Sequence, residues 1–165
     1  MPTIPGINIR PIEIKDNTGL AVIIRNSLAE FGANKPGTVY FDPTTDTLHE
    51  LFQLPGSFYL VAEQGYQLLG GAGIFPSGGL PQGVCELVKM YLHKDARGKG
   101  LGRLLIDSCL QKAKKMGYKS VYLETMPELG KAVSIYEKFG FRYLNRPMGN
   151  TGHFGCDVWM VKDLL

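Results

Sequence analysis

Arg97-Gly98-Lys99-Gly100-Leu101-Gly102, with Arg103 behind it, carries the strongest chemical signal in the chain. Three glycines at alternate positions leave backbone N–H groups uncovered by side chains. A strand-like run over 85–93 precedes them, and a helix-like run over 101–116 follows. A helix starting there adds unpaired N–H groups and the positive end of its dipole. Arg97 and Lys99 add full charges. The combination predicts a cradle for a phosphate or pyrophosphate. Two familiar phosphate loops do not fit. The G-x-x-x-x-G-K-[ST] loop needs a hydroxyl for magnesium, and no Ser or Thr follows a Gly-Lys pair here. The dinucleotide fingerprint reads G-x-G-x-x-G, whereas this loop reads G-x-G-x-G.

What does fit is R-x-x-G-x-G, written Arg97-x-x-Gly100-x-Gly102. This resembles the acyl-CoA pyrophosphate loop of the GNAT superfamily of N-acetyltransferases. Met90-Tyr91-Leu92 resembles the family's fourth-strand segment, whose backbone pairs with the pantetheine arm. Ala132-x-x-Ile135-Tyr136-x-Lys138-x-Gly140-Phe141 resembles its A-x-x-L-Y-x-K-x-G-F segment. The resemblance covers nearly the whole chain and is most specific in the second half. One departure stands out: many members carry Asn three residues before the matching alanine, and this chain has Leu129. The resemblance implies acetyl-CoA as co-substrate and a primary amine as acceptor, attacking directly with no covalent acyl-enzyme. It also implies a cofactor-binding set of Met90, Tyr91, Leu92, Arg97, Gly98, Lys99, Gly100, Leu101, Gly102 and Arg103.

Acetyl transfer to an amine makes two demands on side chains. The amine must lose a proton, since a lysine-like amine is neutral only about once in a few thousand at pH 7. The departing thiolate is helped by a proton donor. Glu86 is the candidate base: it lies eleven residues before Arg97, an offset at which some family members carry a catalytic glutamate. Its neighbours Cys85, Leu87 and Val88 would desolvate it and raise its pKa. The same carboxylate could instead contact substrate or pair with Lys89, and a water chain could serve as base. Tyr136 is the candidate acid, at the family's tyrosine position; a phenol of pKa near 10 is protonated at pH 7. Leu129, Ala132, Val133 and Tyr136 also form one helical face, so a core role is open as well.

Two rival functions stay open: a non-catalytic acyl-CoA-binding sensor or interaction module, and a nucleotide- or phosphate-binding protein unrelated to acyl transfer. Net charge is +3, which gives little case for nucleic acid. Three widely spaced cysteines, Cys85, Cys109 and Cys156, form neither a disulfide framework nor a C-x-x-C pair and point to a reducing cytoplasm. Cys85 and Cys109 read as core residues. His93 and His153 are isolated, so no metal is expected. Neither a signal peptide nor a membrane span is expected. Lys112, Lys114, Lys115 and Lys119 read as a solvated helix face, with contact to the CoA 3′-phosphate open to one of them.

The elements that must position these residues follow from periodicity. With 165 residues the chain suits one domain. Strands are predicted over 7–12, 57–63, 66–75, 84–93, 118–125, 141–144 and 153–161. Helices are predicted after Asp16 and Asn17 up to Gly32, briefly over 45–52, and over 101–116 and 127–139. The expected fold is α/β, with a mixed, mostly antiparallel sheet flanked by helices. The GNAT resemblance adds a splayed parallel strand pair at the cofactor site. Gly70, Gly71 and Gly73 suggest close backbone approach. The connector over 33–56 and the loops over 76–81 and 147–154 match the family's acceptor-selecting segments. Asp42, Asp46, Glu50, Glu86 and Glu124 could attract a cationic amine. Small metabolite amines, amino acids, antibiotics and protein amines all stay open as acceptors. The last strand, 153–161, offers an edge that could pair copies into a homodimer.

Overall fold

The computed structural model of the protein describes residues 3–150 and 155–165. Its strands are β1 (Asn8–Pro11), β2 (Phe58–Gln64), β3 (Gln67–Phe75), β4 (Val84–Leu92), β5 (Ser120–Thr125), β6 (Arg142–Leu144) and β7 (Val158–Asp163). The helices are α1 (Asn17–Glu30), α2 (Leu48–Leu51), α3 (Leu101–Lys115) and α4 (Gly130–Lys138). All seven strands lie in one sheet of order β1-β2-β3-β4-β5-β7-β6. β4 and β5 run parallel; every other neighbouring pair is antiparallel.

Successive side chains of a strand point to opposite faces, and here both faces are covered. From β2, Phe58, Leu60 and Ala62 join a core with Leu105, Ile106 and Cys109 of α3. The intervening Tyr59 and Val61 join a second core with Leu20, Ile24 and Leu28 of α1. α4 packs on the α3 side through Tyr136. Burial on both faces explains why the central strands read as near-continuous apolar runs.

Two of the three glycines of β3, Gly71 and Gly73, have a common physical reason. A Cβ at Gly71 would lie 2.4 Å from the Tyr59 ring, and one at Gly73 would lie 2.6 Å from it. The absent side chains therefore let the Tyr59 ring lie flat across β3. Its hydroxyl then donates to the Lys89 carbonyl at 2.7 Å. That carbonyl belongs to a bulge: Gly71 pairs Tyr91 and Gly73 pairs Val88, so β4 carries one residue more than β3. Lys89 takes φ +53°, a left-handed conformation uncommon outside glycine. Beyond the parallel stretch, Val84–Glu86 against Ser120–Tyr122, β4 and β5 separate, and β5 continues alongside β7.

Three expectations change. Asp16 holds the N-cap position of α1 but does not cap it; its carboxylate accepts from Arg10 at 2.8 and 2.9 Å and from the Glu13 N–H at 2.8 Å. The last strand begins at Val158 and runs to Asp163, while His153 lies outside the described residues. β7 is also interior, between β5 and β6, so the outer strands of the sheet are β1 and β6. The short helix expected in the connector over 33–56 is present as α2, after two 3-10 turns, Val39–Phe41 and Pro43–Asp46. Arg25 of α1 fixes the connector, donating to the Tyr40 carbonyl and pairing with Asp46.

Candidate active site

A cleft of about 750 Å³ opens where β4 and β5 part. Glu86 to Leu92 form one wall, Leu123 to Met126 the other, and Leu129 to Ala132 with Ser134, Ile135 and Tyr136 of the α4 region complete the lining. Its far end is the glycine loop, with Arg97, Gly98, Gly100, Leu101, Gly102 and Arg103. The structure thus gathers Glu86, Tyr136 and every cofactor-binding candidate except Lys99 around one space. Lys99 is exposed on the loop.

The loop leaves room for a close-lying group. Gly98 and Gly100 take φ +76° and +81°, and a Cβ at either would meet nothing within 4 Å. That empty side is the one a phosphate would approach, with the first N–H groups of α3 behind it. His93 sets up the turn before it: its Nδ1 accepts from the Asp95 N–H at 3.1 Å. These residues fit the pyrophosphate of an acyl-CoA.

Glu86 sits at the last paired position before the strands part and is 2% exposed. The Ser77 hydroxyl donates to it. Tyr136 is buried, with its ring edge-on to Phe141 at 5.8 Å. Burial, and less so the Cys109 charge, pushes its phenol well above the usual range, so it keeps its proton at neutral pH. Cys156 also lines the cleft; burial, then the charge of Glu124, pushes its thiol up to about 12. Across from Glu86, the Tyr122 hydroxyl donates to Glu124 at 2.6 Å and accepts from the Met148 N–H at 3.1 Å.

A smaller cavity of about 180 Å³ also reaches Glu86. Asp42 and Thr44 of the connector, Ser77 and Gly78, Asn150, and Lys89 of the bulge line it. The three segments predicted to select the acceptor therefore meet at this cavity. Lys89 lines both spaces and pairs with Asp42 at 3.3 Å. Burial pulls its ammonium below the usual lysine range, against the charges of Asp42 and Glu86.

Residues 26–141 match the model of the acetyltransferase (GNAT) family. The chain belongs to this family. Uncharacterized N-acetyltransferase YjgM of Escherichia coli (strain K12) is 39% identical over 158 residues, covering 94% of each chain. The acetyltransferase of GNAT family from Staphylococcus aureus Mu50 superposes with a TM-score of 0.83 at 20% identity, over 96% of this chain and 99% of that one. The yncA protein of Salmonella typhimurium, solved with its cofactor acetyl-CoA, gives 0.73 at 20% identity, over 97% of this chain and 95% of that one. The mixed sheet with one parallel pair is thus the GNAT fold.

Seen as a GNAT, the chain has local features that sequence reasoning missed. Arg97 is tied to α1: it pairs with Glu30 at 2.7 Å, donates to Ser27 Oγ at 3.2 Å, and lies over the Phe31 ring at 5.0 Å. Ser27 and Phe31 thereby join the cleft, and no local motif marks them. Leu129, where many members carry Asn, presents an apolar side chain to the cleft. Glu124 and Cys156 were visible only as residue types. Lys89 lies in the strand expected over 84–93, and nothing in its neighbours signals the left-handed bulge it takes there.

Proposed function

We propose that the whole chain works as one transferase domain, moving an acetyl group from acetyl-CoA to a primary amine by direct attack within a ternary complex. The observation that carries this reading is the convergence of the glycine loop, Glu86 and Tyr136 on one cleft between parting strands. The acetyl-CoA in the Salmonella typhimurium yncA structure supports it. When bound, acetyl-CoA supplies the acyl group as a thioester, whose carbon–sulfur bond breaks as the new carbon–nitrogen bond forms. The loop and the start of α3 hold its pyrophosphate, and the β5-facing edge of Met90, Tyr91 and Leu92 offers its backbone to the pantetheine arm.

Glu86 takes the proton that the acceptor ammonium must lose. Its burial keeps bulk water from competing for that proton, and the Ser77 hydroxyl fixes its orientation. The Tyr136 hydroxyl supplies the proton that turns the departing thiolate into a thiol. Holding the two reactants together contributes a large share of the acceleration, since oriented reactants are worth about 7–11 kcal/mol. The same reading puts the protein in a reducing cytoplasm, where the three buried cysteines stay free thiols. Thiol release from acetyl-CoA over a broad amine panel tests it. Amine-dependent release supports the transferase; acetyl-CoA binding with no release for any amine supports a non-catalytic module instead.

A further inference from the structure

The smaller cavity at Glu86 is lined by a charge that the transfer chemistry does not use. Lys89 is 5% exposed, and among the described residues its ammonium makes one hydrogen bond, the 3.3 Å contact to Asp42 Oδ2. An ammonium has three N–H donors, and leaving a buried one short of acceptors is costly. Asp42 is better served: its Oδ1 accepts from the Thr44 N–H at 2.9 Å and the Thr44 hydroxyl at 2.7 Å. The spare hydrogen-bonding capacity of the pair thus lies with the cation.

Its position is built rather than incidental. Gly71 and Gly73 of β3 admit the Tyr59 ring, the Tyr59 hydroxyl holds the Lys89 carbonyl, and the bulge brings Lys89 to the same cavity as Glu86. Strained backbone of this kind persists where surrounding structure enforces it and concentrates at functional sites. Ser77 and Asn150 complete the polar lining.

We infer that this cavity is the acceptor subsite for an amine that also bears a carboxylate, an α-amino acid or a compound of like build. The Lys89 ammonium receives the carboxylate while Glu86 receives the proton of the amine. The inference rests on the role of Glu86 proposed above. A volume of about 180 Å³ suits one molecule of amino-acid size. A diamine would bring its second cation against Lys89 and is disfavoured for that reason.

The test compares matched pairs in the thiol-release assay: L-phenylalanine with 2-phenylethylamine, and L-leucine with 3-methylbutylamine. The carboxylate-bearing member of each pair should have a kcat/KM higher by about ten- to a hundredfold, the range for a hydrogen bond to a charged group. Lys89→Met should collapse that ratio toward one, chiefly through KM for the amino acid, and Lys89→Arg should retain part of it. If thermal unfolding shows that Lys89→Met alone does not fold, Lys89→Met combined with Asp42→Asn removes both charges and serves in its place. Equal or faster turnover of the decarboxylated amines overturns the inference alone, as does a ratio unchanged by removing Lys89. Absence of turnover for every amine, diamines included, overturns the transferase reading and this inference with it.

Discussion

The duties proposed for Glu86 and Tyr136 are opposite: one takes a proton and the other gives one. Glu86→Gln keeps the shape and the approach of Ser77 but cannot take a proton. It should lower kcat by about a hundred- to ten-thousandfold and flatten the acid limb of the pH–rate profile; an unchanged profile would assign proton removal to water. Tyr136→Phe should lower kcat while leaving acetyl-CoA affinity unchanged, measured by titration calorimetry. The sign of its pH dependence follows from burial, which disfavours the phenolate and raises the pKa. The hydroxyl therefore stays protonated as pH rises through the neutral range, and no basic limb below about pH 10 belongs to it. A basic limb below that pH that disappears in Tyr136→Phe would contradict this assignment. Both candidates could be picked out in the sequence, Glu86 by its offset from the glycine loop and Tyr136 by its place in the Tyr-x-Lys-x-Gly-Phe block, and the structure lines one cleft with both. The left-handed backbone at Lys89 could not be picked out, since the hydroxyl that holds its carbonyl comes from another strand.

The parting of β4 from β5 makes the cleft, and the glycines of β3 stand behind it. A Cβ at Gly71 would lie 2.4 Å from the Tyr59 ring and 2.7 Å from the Leu60 carbonyl, so Gly71→Ala must push the two strands or the ring apart. It should cost about 1–3 kcal/mol, as overpacking does, read by urea unfolding. Wild-type stability in that variant would mean the ring has room to move. The sequence showed that something approaches β3 closely, because three glycines in a strand have few other uses. It could not show what approaches, because the ring comes from a cross-strand partner. Strand and helix order was readable from periodicity, whereas the start of β7 was misplaced. Its flanks carry small and polar residues, Gly155 and Asp157, that do not settle where alternation begins. The interior place of β7 depends on sheet order, which periodicity does not encode.

Across the whole molecule, the first strand and first helix are held to the sheet by charge as well as by packing. Arg10 of β1 reaches Asp16 at the start of α1 at 2.8 Å and Glu63 of β2 at 3.1 Å. Burial raises the pKa of Asp16, but hydrogen bonds from Arg10 and the Glu13 N–H, together with the Arg10 charge, outweigh it and leave it below the usual range. A depressed folded-state pKa stabilises fully above the unfolded value of 3.8 and loses that contribution as pH falls through the lower, folded value. Asp16→Asn should therefore destabilise the protein at pH 7, and the gap to wild type should narrow below about pH 4. A gap that stays constant across that range would show that the carboxylate charge contributes nothing. The general architecture was legible because the glycine loop, the strand before it and the Tyr-x-Lys-x-Gly-Phe block each tie a sequence pattern to one part of the fold.

Thermal unfolding of the purified protein with acetyl-CoA, CoA, ATP and NAD in parallel tests most directly the claim that the glycine-loop cleft binds acetyl-CoA. A ligand at 100 times its dissociation constant adds about 2.7 kcal/mol of stability, a shift easily seen. The account predicts stabilisation by acetyl-CoA and CoA and none by ATP or NAD; stabilisation by ATP or NAD alone, or by no ligand, would contradict it.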